Sequence, residues 1–198
     1  MLVTNKAPNF TAQAVLADNQ IVEDFNLYKN FGKNGAILFF WPKDFTFVCP
    51  SEILAFNNRV KDFNERGVNL IGISTDSEFV HLAWKNTPVN QGGIGNVGFP
   101  IVADITKQIS RDFDVLFSES VALRGTFLID KDGTIRHATI NDFPLGRNVD
   151  ETLRLVDAML YTNEHGEVCP AGWNKGDEAM KASSKGVADY LAKHSKDL

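Results

Sequence analysis

The chain holds two cysteines, and one of them stands where a thiol can be made reactive. The segment Pro42-Lys43-Asp44-Phe45-Thr46-Phe47-Val48-Cys49-Pro50-Ser51-Glu52 follows a continuous apolar run and precedes a helical stripe. Pro50 suits the first helical turn, because the N–H it lacks would have no intrahelical partner there. Cys49 is thus expected at a helix N-terminus, where free N–H groups and the helix dipole favour negative charge. In such surroundings a thiol ionises below its ordinary value of about 8.5, and the thiolate is the nucleophile. A lone cysteine is more often a small inert core residue, so the surrounding residues must carry the case.

A thiolate that attacks a peroxide oxygen needs donors around the leaving oxygen, fixed before the substrate arrives. Thr46 lies three residues before Cys49, and its hydroxyl can meet a peroxide from the loop. Pro42 can stiffen the loop and keep water out. The cation has to come from another part of the chain, and Arg124, beside Gly125 at the start of an apolar strand, is the candidate.

The elements that must hold these residues follow from periodicity. Ala36–Trp41 reads as a buried strand, and Ile53, Phe56, Val60 and Phe63 as one helical stripe ended by Gly67. Val68–Ser74 reads as a second strand. Thr75-x-x-Glu78 reads as a capping box opening a helix through Trp84 that stops before Pro88. A short strand at Phe99–Val102 and a helix at Thr106–Phe113 come next. Thr126–Asp130 and Thr134–Ile140 form a hairpin through Lys131-Asp132-Gly133. Asn148-x-x-Glu151 opens a helix with apolar Leu153, Val156, Met159 and Leu160, and from Asn163 the composition turns polar up to an amphipathic piece at Val187, Tyr190 and Leu191. Strands alternating with helices imply an α/β architecture. The expectation is a thioredoxin-like fold with a central mixed β-sheet flanked by helices, plus a C-terminal tail. The expected division is residues 1–162 as the catalytic domain and 163–198 as an extension carrying Cys169. Fold alone names no function.

Composition removes several classes. Twenty basic against 25 acidic residues leave a net charge of −5, which disfavours nucleic acid or an anionic membrane as partner. No apolar run approaches the roughly 20 residues that span a bilayer. The N-terminus has no signal-like apolar stretch, so the cytoplasm is the expected address. Gly93-x-Gly95-x-x-Gly98 spells a dinucleotide fingerprint, but a helix precedes it and a strand follows, the reverse of what that site requires. Asp130-Lys131-Asp132-Gly133 lacks the rest of a calcium loop. His81, His137, His165 and His194 have no metal-ligand spacing. No cofactor or metal is expected.

The spacing of Pro42, Thr46 and Cys49 resembles the active-site signature of the peroxiredoxins. The longer string Asp44 to Pro50 is similar to that of their typical two-cysteine class, which includes the peroxidase component of bacterial alkyl hydroperoxide reductase and the thioredoxin peroxidases. Leu123-Arg124-Gly125 resembles the family's active-site arginine segment. His165-Gly166-Glu167-Val168-Cys169-Pro170-Ala171-Gly172-Trp173 resembles its resolving-cysteine segment.

The resemblance implies a thiol peroxidase acting on hydrogen peroxide or small organic hydroperoxides. Cys49 becomes a sulfenic acid, and Cys169 of a partner subunit condenses with it into an intersubunit disulfide. It also implies that Glu52 and Arg147 orient the active-site arginine, and that dimers assemble into a ring of five. Thioredoxin or a flavoprotein disulfide reductase would be the reductant. Two departures stand out: Ser51 where threonine is usual, and Tyr190-Leu191 where peroxide-sensitive members carry Tyr-Phe. Gly92-Gly93-Ile94-Gly95 resembles the insertion that covers the active site in those members. A holdase chaperone, acting at one-to-one ratios, is the alternative of another class. A thioredoxin-type dithiol oxidoreductase is disfavoured, because there is no C-x-x-C.

Overall fold

A computed structural model describes residues 1–196. The chain divides into two compact units, Met1–Val149 and the residues from Asp150 onward.

The first unit is built on a seven-stranded mixed sheet. Its elements in chain order are β1 (Thr11–Val15), β2 (Ile21–Asn26), β3 (Gly35–Phe40), α1 (Cys49–Asn58), α2 (Val60–Glu65), β4 (Val68–Ser74), α3 (Glu78–Asn86), β5 (Ile101–Ala103), α4 (Gln108–Asp112), β6 (Leu116–Phe117), β7 (Val121–Ala122), β8 (Arg124–Asp130) and β9 (Ile135–Asn141). The strand order is β2-β1-β5-β4-β3-β8-β9. Strands β3, β4 and β5 run parallel, while β8 lies antiparallel against β3. Every residue of β3 and of β8 is buried. That is why the Ala36–Phe40 run is continuously apolar: both faces of the sheet are covered there, and a side chain without a polar partner must be apolar. β9, at the edge, is exposed or half-buried after its first residue.

The thioredoxin-like mixed sheet is as expected, and several local details are not. The apolar stripe from Ile53 to Phe63 is broken at Arg59, whose φ of −110° and ψ of 4° end α1 and start α2. The cap of α3 is Ser77, whose hydroxyl accepts from the Val80 N–H at 3.3 Å, and not Thr75. Glu78 therefore falls in the first helical position rather than the third, and its side chain is buried instead of reaching back to the cap. Strands β1 and β2 and the small β6–β7 hairpin had no clear sequence signal, since β2 is mostly exposed and β6 and β7 have two residues each. The hairpin between β8 and β9 is as read. Asp130 accepts the N–H groups of Asp132 at 3.0 Å and Thr134 at 2.9 Å, and Gly133 takes φ +82°.

In the second unit, α5 (Val149–His165) runs through the compositional change at Asn163. α6 (Ser184–His194) is capped by Ser183, whose hydroxyl accepts from the Gly186 N–H at 3.1 Å. Between them, Val168 and Met180 pair through reciprocal backbone bonds. Tyr190 is buried, and Leu191 is 41% exposed.

Gly133→Ala tests the hairpin. The left-handed φ is unfavourable for any L side chain, and the added Cβ would lie 2.3 Å from the Tyr28 ring. A loss of roughly 1–3 kcal/mol in unfolding free energy is expected, measured by urea denaturation; an unchanged midpoint would contradict the turn geometry.

Candidate active site

Strand β3 ends under the sheet's carboxyl edge, where α/β proteins place their reactive groups. The chain leaves it at Trp41, loops through residues 42–48, and enters α1 at Cys49. No side chain caps this helix start. Cys49 has no exposed surface. Its Sγ is 2.9 Å from the Thr46 hydroxyl oxygen, which is also 2.9 Å from the Lys43 carbonyl. A hydroxyl has one proton and two lone pairs. Beside a neutral thiol, Thr46 can donate to Lys43 and accept from sulfur; beside a thiolate, its proton can turn to the sulfur.

Glu52 lies three residues along α1, on the same helical face as Cys49. Its buried carboxylate gathers two arginines from distant parts of the chain. Arg124, the first residue of β8, donates from Nη1 to Glu52 Oε2 at 2.5 Å and to Cys49 Sγ at 3.3 Å, and from Nε to the Phe143 carbonyl at 2.8 Å. Arg147 follows β9. It donates from Nε to Glu52 Oε1 at 2.8 Å and from Nη2 to Oε2 at 3.0 Å, and its backbone N–H also reaches Oε1 at 3.1 Å. Its Nη1 meets the carbonyls of Phe40 at 2.8 Å and Gly125 at 2.9 Å. The guanidinium lies over Phe39 and Phe56 at 5.5 and 5.8 Å from the ring centroids. Burial lowers the Arg147 pKa, with the neighbouring Glu52 charge opposing the shift.

The charges in this cluster do not balance without sulfur. Two guanidiniums face one carboxylate, all three nearly free of solvent, which leaves one positive charge beside the Cys49 sulfur. An isolated buried charge is costly, so the cluster is complementary to the ionised sulfur. Above it opens a cavity of about 550 Å³ lined by Pro42, Thr46, Phe47, Val121, Arg124 and Phe143 among others. Apart from the hydroxyl and the guanidinium, these walls are apolar.

The fold therefore brings Pro42, Thr46, Cys49, Glu52, Arg124 and Arg147 into one site. Cys169 belongs to the second unit. Its Sγ is 3.7 Å from the Thr162 hydroxyl and 3.7 Å from the Ala158 carbonyl, both on α5. Nearby, Tyr161 donates to Glu167 at 2.8 Å and Arg154 to the Trp173 carbonyl at 2.8 Å, so the Cys169 segment is folded against its own helix. Sequence reasoning missed a second buried polar group. Asp44, His81, Ser74 and Trp41 are joined by hydrogen bonds beneath the loop. A histidine weighed only as a metal ligand hid this role, and the aspartate inside the motif was its only signal.

Residues 3–138 match the model of the AhpC/TSA family, and residues 158–193 match that of the C-terminal domain of 1-Cys peroxiredoxin. The chain is 69% identical over 195 residues to alkyl hydroperoxide reductase C of Helicobacter pylori, covering 98% of each. The reduced 2-Cys peroxiredoxin of Plasmodium vivax superposes with a TM-score of 0.94 at 49% identity, over 97% of this chain and 99% of the other. An N-terminally modified peroxiredoxin of Plasmodium yoelii, described as forming an artifactual octamer, is 52% identical with a TM-score of 0.77, over 86% of this chain and 98% of the other.

Glu52→Ala would leave two buried guanidiniums facing each other. The expected loss is about 3–5 kcal/mol of stability, read by denaturant unfolding, with Glu52→Gln less damaging because its amide oxygen still accepts. Equal stability of all three proteins would mean that the carboxylate does not hold the cluster.

Proposed function

The chain belongs to the AhpC/TSA family and is a thiol peroxidase, and from that premise we propose that Cys49 is the attacking thiolate and Cys169 the resolving thiol. The observation that carries this reading is the Cys49 sulfur held between the Thr46 hydroxyl and the Arg124 guanidinium, in a buried cluster one negative charge short. The sulfur attacks one oxygen of the hydroperoxide along the O–O axis. The S–O bond forms as the O–O bond breaks, and the departing alkoxide or hydroxide leaves with a proton. Thr46 and Arg124 are donors to the two oxygens as charge moves from one to the other. Pro42 walls the cavity beside them. Glu52 and Arg147 are positioning residues, since both act on the substrate through Arg124. The apolar walls formed by Val121 and Phe143 suit an organic hydroperoxide as well as hydrogen peroxide.

Cys169 of a partner subunit then attacks the Cys49 sulfenic sulfur, water leaves, and a disulfide forms. Self-association is supported by the 2-Cys relatives, and we assign the assembly as a homodimer that builds a ring of five dimers. An external dithiol supplies the two electrons that reopen the disulfide; thioredoxin or a flavoprotein disulfide reductase has that chemistry. In functional terms, residues 1–162 are the peroxidase domain and 163–198 the extension that delivers the resolving thiol. No described helix is long and apolar enough to cross a membrane, and the reading puts the enzyme in the cytoplasm, where dithiol reductants are kept reduced.

Cys49→Ser is expected to abolish peroxide reduction while the fold persists. Cys169→Ser should keep one rapid reaction with peroxide in stopped flow and lose turnover, with a Cys49 sulfenic acid or its higher oxides seen by mass spectrometry. After one equivalent of peroxide, wild type should run as a dithiothreitol-sensitive dimer on a non-reducing gel. An oxidised monomer would overturn the pairing between subunits.

Arg124→Ala should slow the first reaction about 100-fold or more, the scale of one lost transition-state donor. A normal second-order rate would remove Arg124 from the mechanism.

A further inference from the structure

The loop that carries Pro42 and Thr46 is not held by the arginine cluster. It is held from the opposite side, at Asp44, whose side chain has no exposed surface. Oδ1 accepts from Trp41 Nε1 at 2.8 Å and lies 3.4 Å from the Ser74 hydroxyl oxygen, and Oδ2 faces His81 Nδ1 at 2.7 Å. The backbone N–H of Asp44 donates to Asp76 Oδ2 at 2.8 Å, and Ser74 donates to the same oxygen at 2.8 Å. The end of β4 and the middle of α3 thus grip one loop residue by both side chain and backbone.

His81 is fully buried, and its other ring nitrogen, Nε2, faces the Val102 carbonyl at 3.2 Å. Each ring nitrogen of His81 therefore faces an oxygen, one of the Asp44 side chain and one of the backbone. The result is a buried, hydrogen-bonded Asp44–His81 pair, an arrangement that is costly to break on one side because the other group is left without its partner. The site chemistry described above does not touch it.

The residue after Asp44 explains what the pair does. Phe45 has φ +54°, a left-handed backbone that a bulky L side chain adopts only when held, at a cost of order 1 kcal/mol or more. Its ring meets Trp84 of α3 at 5.7 Å between centroids. The turn at Phe45 is what sends Thr46 back over the start of α1, to 2.9 Å from Cys49 Sγ. If Asp44 were released, Phe45 could relax to negative φ and Thr46 would swing off the sulfur.

We propose that Asp44 and His81 are positioning residues for the peroxide reaction, clamping the strained Phe45 turn so that Thr46 is fixed over Cys49. The proposal rests on the reading of Cys49 as the attacking sulfur and Thr46 as a donor to the peroxide. The clamp acts through Thr46 and not on the sulfur itself, because the Arg124 contact to Cys49 comes from β8, which makes none of the Asp44 contacts.

The test is a double-mutant cycle on the rate of the first reaction with hydrogen peroxide, using full-length wild type, Asp44→Asn, Thr46→Val and the double variant. Alkylation of Cys49 by iodoacetamide, which needs no donor to a leaving oxygen, is measured alongside. Asp44→Asn is expected to slow the peroxide reaction on the order of tenfold to 100-fold, the scale of a misplaced catalytic group, while alkylation stays near the wild-type rate. In the Thr46→Val background the same change should add little, because the group it positions is already gone.

Multiplicative effects of the two substitutions would overturn the proposal, as would an equal slowing of alkylation, the mark of general damage. Thr46→Val at the wild-type rate would sink the underlying reading of Thr46 as well, so the two failures are distinct. Should Asp44→Asn fail to fold, His81→Phe, which keeps a ring but cannot bond to Asp44, and Ser74→Ala carry the same cycle. Full peroxide rates in both of those variants would also reject the clamp.

Discussion

The surroundings of the Cys49 sulfur depend on one buried carboxylate. Glu52 accepts hydrogen bonds from Arg124 and Arg147 and sits on the same helical face as Cys49. Without it, two guanidiniums would face each other in a nearly dry environment, which no packing could offset. With it, the cluster keeps one uncompensated positive charge beside the sulfur. The same contacts tie the start of α1 to β8 and to the segment after β9, so the electrostatics and the geometry have one origin. Removing water strengthens every one of these interactions.

The second constraint is the loop between β3 and α1. It must bring a hydroxyl onto a sulfur only three residues ahead, and a relaxed backbone does not fold back so tightly. The chain achieves this with a left-handed Phe45. Such strain persists only where the surroundings over-determine it. Here those surroundings are Asp44 with its buried partners and Trp84 against the Phe45 ring. Trp84 also donates to the Gly92 carbonyl at 2.8 Å, so α3 holds the start of the glycine-rich segment together with the catalytic loop.

In the proposed reaction, burial of Cys49 has a cost for the second half. A sulfur without exposed surface cannot meet a thiol from another chain unless the start of α1 opens. The Cys169 segment is likewise folded against α5 through Arg154, Tyr161 and Thr162. For the proposed disulfide to form, both thiols must therefore leave folded positions. While that opening is awaited, the sulfenic acid is exposed to a second peroxide. Packing that slows the opening favours overoxidation, and packing that eases it favours the disulfide.

The chemistry of the site was legible in the sequence because its core is local. Pro42, Thr46, Cys49 and Glu52 lie within one loop and the first turn of one helix, where spacing alone dictates proximity. The mixed sheet was legible too, since strands buried on both faces leave continuous apolar runs. Arg124 was a candidate cation from its place at the start of an apolar strand, and Arg147 was reachable only through family resemblance, because nothing in their neighbours says that β8 and the segment after β9 end at Glu52. The Asp44–His81 pair was legible to neither route. Its partners come from β4, α3 and β5, and a lone histidine in sequence carries no sign of which acceptors will surround it. Capping at Ser77 and the break at Arg59 also belong to tertiary structure, because several adjacent residues could serve and packing selects among them. Local spacing determined what reaction the chain could attempt; only folding decided which distant charges would make the sulfur ready for it.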